Sequence, residues 1–367
     1  MRKELPILWK YLLAAAASCA LAFLIAQNDA FAGVPAGQPV YASSGVYAVE
    51  VSDATWRDAV RERDVPVRIY APNAIDKTVA ANTPSTSSTS STRFPVILFS
   101  HGLGGSRAGG QRWARHWASH GYVVVAMQHA GSDETLWKDR SPRDLNANMK
   151  SAMTLNNLGL RIGDVRFVID EVIRRTAAGE AAFISADPRR LGMSGHSFGA
   201  QTTLAIAGQK AGMLGGQAGL DTRIVSAVAF SPNARNKFNV ARQFGDIRIA
   251  LFSITGSEDG SVLGDGTRYQ DRMLPFENMP AGGKYLVVFE GGDHMVFGGH
   301  ELSGRRLETA RDREIQAGVK AATLAFWNST LKQDESARKW LESGGGSGGE
   351  LGSFRAMLDG KDFFASK

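Results

Sequence analysis

Gly195-His196-Ser197-Phe198-Gly199 is a G-x-S-x-G pentapeptide, and the residues on either side decide what it means. Arg189-Arg190-Leu191-Gly192-Met193-Ser194 leads into it with a short apolar run, and the helix-like run Gln201-Thr202-Thr203-Leu204-Ala205-Ile206-Ala207 follows. In a strand–turn–helix context the serine sits on a sharp turn, and the flanking glycines remove side chains that would collide there. Its hydroxyl then projects above the sheet, and the backbone N–H of Phe198 faces a developing oxyanion. The same expression recurs at Gly345-Gly346-Ser347-Gly348-Gly349, inside a Gly/Ser-rich run with no strand before it and no helix after it. That second match reads as linker.

Outward from Ser197, the chain alternates β and α. Phe94–Ser100, Tyr122–Met127, Leu191–Ser194, Ile224–Phe230, Ile247–Ile254 and Lys284–Phe289 are apolar runs of the kind buried on both faces, and the last of them closes the series. Trp113 and Trp117 share a helix face after the first run, and Leu158, Ile162, Val165, Ile169 and Val172 mark a helix over 157–175. A helix from about Leu307 to Leu331 closes the domain. Gly45–Val51 and Val65–Tyr70 alternate as two earlier strands, with Pro66 near a sheet edge. The class is therefore α/β, a doubly wound, mainly parallel sheet with antiparallel N-terminal strands. Residues 72–93 read as a flexible Ser/Thr-rich loop within a domain spanning 33–332, and 333–367 as a C-terminal helix and Gly/Ser-rich tail. The polar stretch 129–154 is long for an α/β connection, a common location for substrate loops.

Residues 1–32 have the layout of a signal peptide. Arg2, Lys3 and Lys10 flank the apolar run Tyr11–Ala26, and Ala30-Phe31-Ala32 fits a small-x-small cleavage site before Gly33. The run is short for a membrane span, so the expectation is an exported protein, periplasmic or secreted, with no stable span after processing. The single cysteine, Cys19, lies inside this segment, which leaves the mature chain without thiol or disulfide. The net charge of +6 comes from scattered basic residues, so no nucleic-acid partner is expected.

A serine hydroxyl needs an imidazole to take its proton, an acid to orient that imidazole, and N–H donors for the oxyanion. Downstream of Ser197, Asp259 falls in Gly256-Ser257-Glu258-Asp259-Gly260 after a strand, with Glu258 and Asp265 as rival acids. His294 falls in Gly291-Gly292-Asp293-His294 just past the last strand, with His300 as its rival. The order Ser, acid, His at strand ends selects Ser197, Asp259 and His294 as catalytic candidates. His101-Gly102-Leu103-Gly104-Gly105 follows the first parallel strand, where a second oxyanion donor belongs; Leu103 and Phe198 supply the two N–H groups. This loop lacks the Lys-Ser/Thr of a phosphate loop and the spacing of a dinucleotide fingerprint, so no cofactor is expected. His116 and His120 stand four apart on a helix but lack the adjacent glutamate of a zinc protease, so no metal is expected either.

The blocks Phe99–Gly105, Gly195–Gly199 and Gly291–His294 resemble the serine α/β-hydrolases of the dienelactone-hydrolase-like and platelet-activating-factor acetylhydrolase-like group, with cutinase-like polyester hydrolases more distant. The resemblance runs from about residue 45 to 330 and implies the α/β-hydrolase fold, with Ser197, Asp259 and His294 as its triad. It implies a carboxylic-ester hydrolase, exported if the layout of residues 1–32 is a signal peptide, acting on a small-molecule, lipid or polymer ester through an acyl-enzyme. The same machinery serves an amidase or peptidase, and a non-catalytic binding protein on a hydrolase fold is the rival of another class. True dienelactone hydrolases use a cysteine nucleophile, which the mature chain lacks.

Overall fold

Every residue of Phe94-Pro95-Val96-Ile97-Leu98-Phe99-Ser100 is buried, as a strand must be when helices cover both faces of its sheet. The computed structural model describes residues 41–73, 93–138, 145–210, 216–234, 237–300, 307–343 and 352–367. Contacts divide the chain into Met1–Pro39 and Val40–Lys367, and all described residues belong to the second unit. The export segment with Cys19, residues 74–92 of the Ser/Thr-rich loop, and Gly345–Gly349 lie outside the described residues.

The elements run β1 (Ala48–Asp58), β2 (Arg63–Asn73), β3 (Phe94–Ser100), α1 (Gln111–Ser119), β4 (Val123–Met127), α2 (Leu145–Ala152), α3 (Leu155–Ala177), β5 (Ala186–His196) and α4 (Phe198–Ile206). They continue with β6 (Ile224–Phe230), α5 (Val240–Phe244), β7 (Ala250–Glu258), α6 (Tyr269–Glu277), β8 (Lys284–Asp293), α7 (Ala310–Leu331), α8 (Glu335–Glu342), α9 (Phe354–Met357) and β9 (Phe363–Ser366). The nine strands form one sheet in the order β1-β2-β4-β3-β5-β6-β7-β8-β9. β1 and β2 pair antiparallel with each other, as β2 does with β4, whereas β4, β3, β5, β6, β7 and β8 are parallel. This is the α/β-hydrolase arrangement, with the antiparallel N-terminal strands expected from the sequence.

Alternation along the strands builds two cores. Ile97, Phe99, Val228, Phe230, Phe252 and Ile254 face α1 and α7, where Trp113, Trp117 and Trp327 are wholly buried. Val96, Leu98, Ala227, Ala229 and Leu251 face α3 and α4, and meet Val165, Ile169, Val172 and Leu204. Each core rests on a helix stripe at 3.6-residue spacing against a period-two strand face.

One expectation needs correction. Lys284–Phe289 does not close the sheet: the antiparallel strand β9 pairs with β8, Tyr285 opposite Ser366 and Val288 opposite Phe363. The sheet therefore extends into 333–367, beyond the boundary expected at 332. Phe364 is buried, stacked on Tyr285 and edge-on to Phe354, so a short polar-flanked strand is held by aromatic contact. Within the long connection 129–154 fall a short 3-10 turn at Glu134–Leu136 and the helix α2, and its first part packs under the turn after β3.

Candidate active site

β5 ends at His196 and α4 begins at Phe198, leaving Ser197 alone in the turn with φ 56° and ψ −113°. A non-glycine residue at positive φ is strained, at a cost of about 1–3 kcal/mol. The turn holds because its neighbours are glycine: a Cβ on Gly199 would stand 1.9 Å from the Ser100 carbonyl oxygen, and one on Gly195 would stand 2.4 Å from that of Gly199. The Ser197 N–H donates to the Phe230 carbonyl at 2.9 Å, which ties the turn to β6.

Asp259 follows β7 and His294 follows β8, and both side chains are buried. The two turns meet because β7 and β8 come into close backbone contact there; a Cβ on Gly256 would lie 2.3 Å from the Gly292 carbonyl oxygen. His294 Nδ1–H donates to Asp259 Oδ1 at 2.7 Å, and Thr255 Oγ1 donates to Oδ2 at 2.8 Å. That bond fixes the tautomer and leaves Nε2 with its lone pair. Burial raises the Asp259 carboxyl, but the His294 hydrogen bond, together with the His294 and Arg272 charges, outweighs it and holds the group below its ordinary value. His196 adds a second hold: its Nε2–H donates to the His294 carbonyl at 2.9 Å. Burial first, then the neighbouring imidazole of His294, keeps His196 far below the usual histidine range and hence neutral.

The rival candidates differ in setting. Glu258 is the exposed last residue of β7, and Asp265 is exposed in the following loop, where its Oδ1 accepts from the Thr267 N–H and the residue joins the lining of the pocket that holds Ser197 and His294. His300 packs near Gly109 and Gly298. His116 and His120 donate from Nε2 to the carbonyls of Tyr41 and Ser43, at 3.0 and 2.9 Å, and so anchor the incoming chain on α1.

The turn after β3 lies against the serine: a Cβ on Gly102 would be 3.5 Å from Ser197 Cβ. Phe198 opens α4, so its N–H is one of the unpaired donors of a helix N-terminus. Among the described residues, neither the Leu103 nor the Phe198 N–H donates to a protein acceptor. The segment 129–138 braces this turn, because Ser132 O accepts from Gly104 N at 3.0 Å and Trp137 Nε1 donates to Gly104 O at 2.6 Å. Ser197, Phe198, Gln201, Ser231, Arg272 and His294 line one open pocket of about 50 Å³.

Two buried arginines escaped the sequence reading. Arg272, on α6, contacts Asp259 at a separation of 13 residues, and no local pattern announces it. Arg161 did leave a signal. It stands four residues before Val165 on the buried stripe of α3, a position where a charge needs partners.

Residues 42–154 match the family described as platelet-activating factor acetylhydrolase, isoform II. The match takes in β1 to β4, the turn after β3 and α2, and it ends before Ser197. It supports grouping the chain with the platelet-activating-factor-acetylhydrolase-like serine hydrolases, and with them ester hydrolysis of a small-molecule or lipid substrate. Comparison with curated proteins gave no match.

Proposed function

We propose that this chain is an exported carboxylic-ester hydrolase that works through a Ser197–His294–Asp259 triad. The observation that carries the reading is the 2.7 Å bond from His294 Nδ1 to Asp259 Oδ1, beside a serine at positive φ in the same pocket. Ser197 attacks the ester carbonyl as His294 Nε2 takes its proton, and Asp259 steadies the imidazolium. The Leu103 and Phe198 N–H groups receive the oxyanion, each worth about 2.7–4 kcal/mol in the transition state. Collapse expels the alcohol, protonated by His294; water, activated by the same imidazole, then releases the acid and restores Ser197.

Export rests on the layout of residues 1–32; among the described residues no helix is long and apolar enough to cross a membrane. The test is fluorophosphonate labelling with site mapping, run beside a hydrolysis series of nitrophenyl esters of rising chain length and an amide analogue. A stable adduct on Ser197, with turnover of the esters ahead of the amide, is expected. No adduct and no turnover would favour a binding protein, and preference for the amide would favour a peptidase.

A further inference from the structure

Beneath the turn that carries Leu103 lies a second set of buried polar groups, none of which faces the pocket. Arg161, Asp164, His129 and Ser100 are all fully buried. Ser100 Oγ–H donates to His129 Nε2 at 2.9 Å, and His129 Nδ1–H donates to Asp164 Oδ2 at 2.9 Å. Asp164 also accepts from Arg61 and Arg63, at 2.9 and 2.8 Å. The arrangement has the composition of a triad, but its serine is sealed from solvent, so it has no access to a substrate.

Arg161 connects this set to the oxyanion turn. Its Nη1 donates to the His101 carbonyl at 2.7 Å and approaches Ser100 Oγ at 3.3 Å. Its Nε donates to Ser132 Oγ at 2.9 Å, and its Nη2 reaches Ser132 O at 3.3 Å and Gly102 O at 3.5 Å. The same guanidinium lies 4.3 Å over the Phe198 ring. One side chain therefore touches the peptide before Leu103, the segment that braces the turn, and the residue after Ser197.

The Gly102 carbonyl accepts from three directions: His101 Nδ1 at 2.6 Å, Gly105 N at 3.1 Å, and Arg161. In a trans peptide the C=O and the following N–H point opposite ways. Pinning the Gly102 oxygen into this donor cluster therefore turns the Leu103 N–H outward, away from Arg161. Rotating that peptide would break all three contacts and face its N–H towards the three donors. Burial pulls the Arg161 guanidinium down to about 9, against the pull of Asp164 and Asp133, and it stays charged at neutral pH.

We propose that Arg161 is a positioning residue that holds the Gly102–Leu103 peptide in its donor-outward orientation, and that the sealed Ser100–His129–Asp164 set fixes Arg161 in turn. The proposal rests on the reading of Ser197 as nucleophile. The test uses the full chain, with Arg161→Gln and Ser132→Ala measured against wild type on a short nitrophenyl ester and on a trifluoromethyl ketone, which forms an oxyanion with the serine. Arg161→Gln should lower kcat by about 10²-fold, leave KM nearly unchanged, and weaken the ketone by the same factor as kcat/KM. Folded Arg161→Gln with wild-type kcat and ketone affinity would overturn the role. If Arg161→Gln does not fold, Ser132→Ala decides: it frees Arg161 Nε while keeping the charge, and a parallel loss in kcat and ketone affinity supports the role, whereas no change in either overturns it. A wild-type chain with neither turnover nor a Ser197 adduct fails earlier, and refutes the reading of the site itself.

Discussion

Arg272 Nε donates to the Asp259 carbonyl at 2.6 Å and lies 2.8 Å from Oδ1 of the same residue, so the carboxylate that orients His294 is shared between an imidazole and a buried cation. Arg272 also donates to the carbonyls of Ser231 and Gly260, at 2.9 and 3.0 Å, and its Nη2 stands 3.2 Å from His294 Nδ1. Breaking this buried pair in Arg272→Gln should cost on the order of 3–5 kcal/mol of stability. It should also lower kcat on a short ester, because the guanidinium ties the backbone of Ser231, Asp259 and Gly260 together around the carboxylate. A thermal melt and kcat read the two effects, and a folded variant with wild-type stability and kcat would remove Arg272 from the support of the site.

Asp259→Asn should lower kcat by about 10⁴-fold, because the amide presents the wrong partner to Nδ1. Glu258→Gln and Asp265→Asn should stay close to wild type, since both carboxylates are exposed and it is Asp259 that accepts from His294 Nδ1. Stability follows the same carboxyl. Its folded-state value is depressed, so its contribution is complete above the unfolded value of about 3.9 and is lost as pH falls through the folded one. The melting-temperature gap between wild type and Asp259→Asn should therefore narrow below about pH 4. A gap that widens on acidification would contradict the sign.

Much of this was legible because chain order and strand ends are local properties. The apolar runs at 94–100, 224–230 and 284–289 announce buried strands, and Ser197, Asp259 and His294 each follow such a strand. Arg272 and Arg161 were not legible as site residues, because their partners are brought in by helix packing across the fold. β9 escaped for a different reason: four residues after a glycine-rich run carry no period, and only the aromatic contact of Phe364 with Tyr285 and Phe354 defines them as a strand.

Two glycines near Ser197 should respond differently to the same substitution. On Gly199 a methyl group would meet a backbone oxygen at 1.9 Å, which neither β3 nor α4 can yield without moving, so Gly199→Ala should destabilise by more than about 3 kcal/mol or prevent folding. On Gly102 it would meet His196 Nδ1 at 3.1 Å and Ser197 Cβ at 3.5 Å, contacts that a shift of a few tenths of an ångström relieves. Gly102→Ala should fold and lose activity, because that shift displaces the donor turn relative to the serine. Denaturant melts and kcat on a short ester separate the two effects. A stable Gly199→Ala protein would mean that the elbow packs more loosely than these distances require.

The strain at Ser197 can be measured by removing the side chain in two ways. Ser197→Ala and Ser197→Gly should both lose about 10⁶-fold in kcat, since either abolishes the nucleophile. Alanine keeps the cost of φ 56°, whereas glycine adopts it freely. Relief of about 1–3 kcal/mol is partly offset by the larger unfolded-state entropy of glycine, about 0.4–1 kcal/mol. Ser197→Gly should thus be the more stable of the two by roughly 1 kcal/mol, a rise of about 1–2 °C in Tm for a chain of this size. Equal melting temperatures would show that the turn relaxes once the hydroxyl is gone, and that the strain belongs to the serine's own contacts rather than to the backbone between β5 and α4.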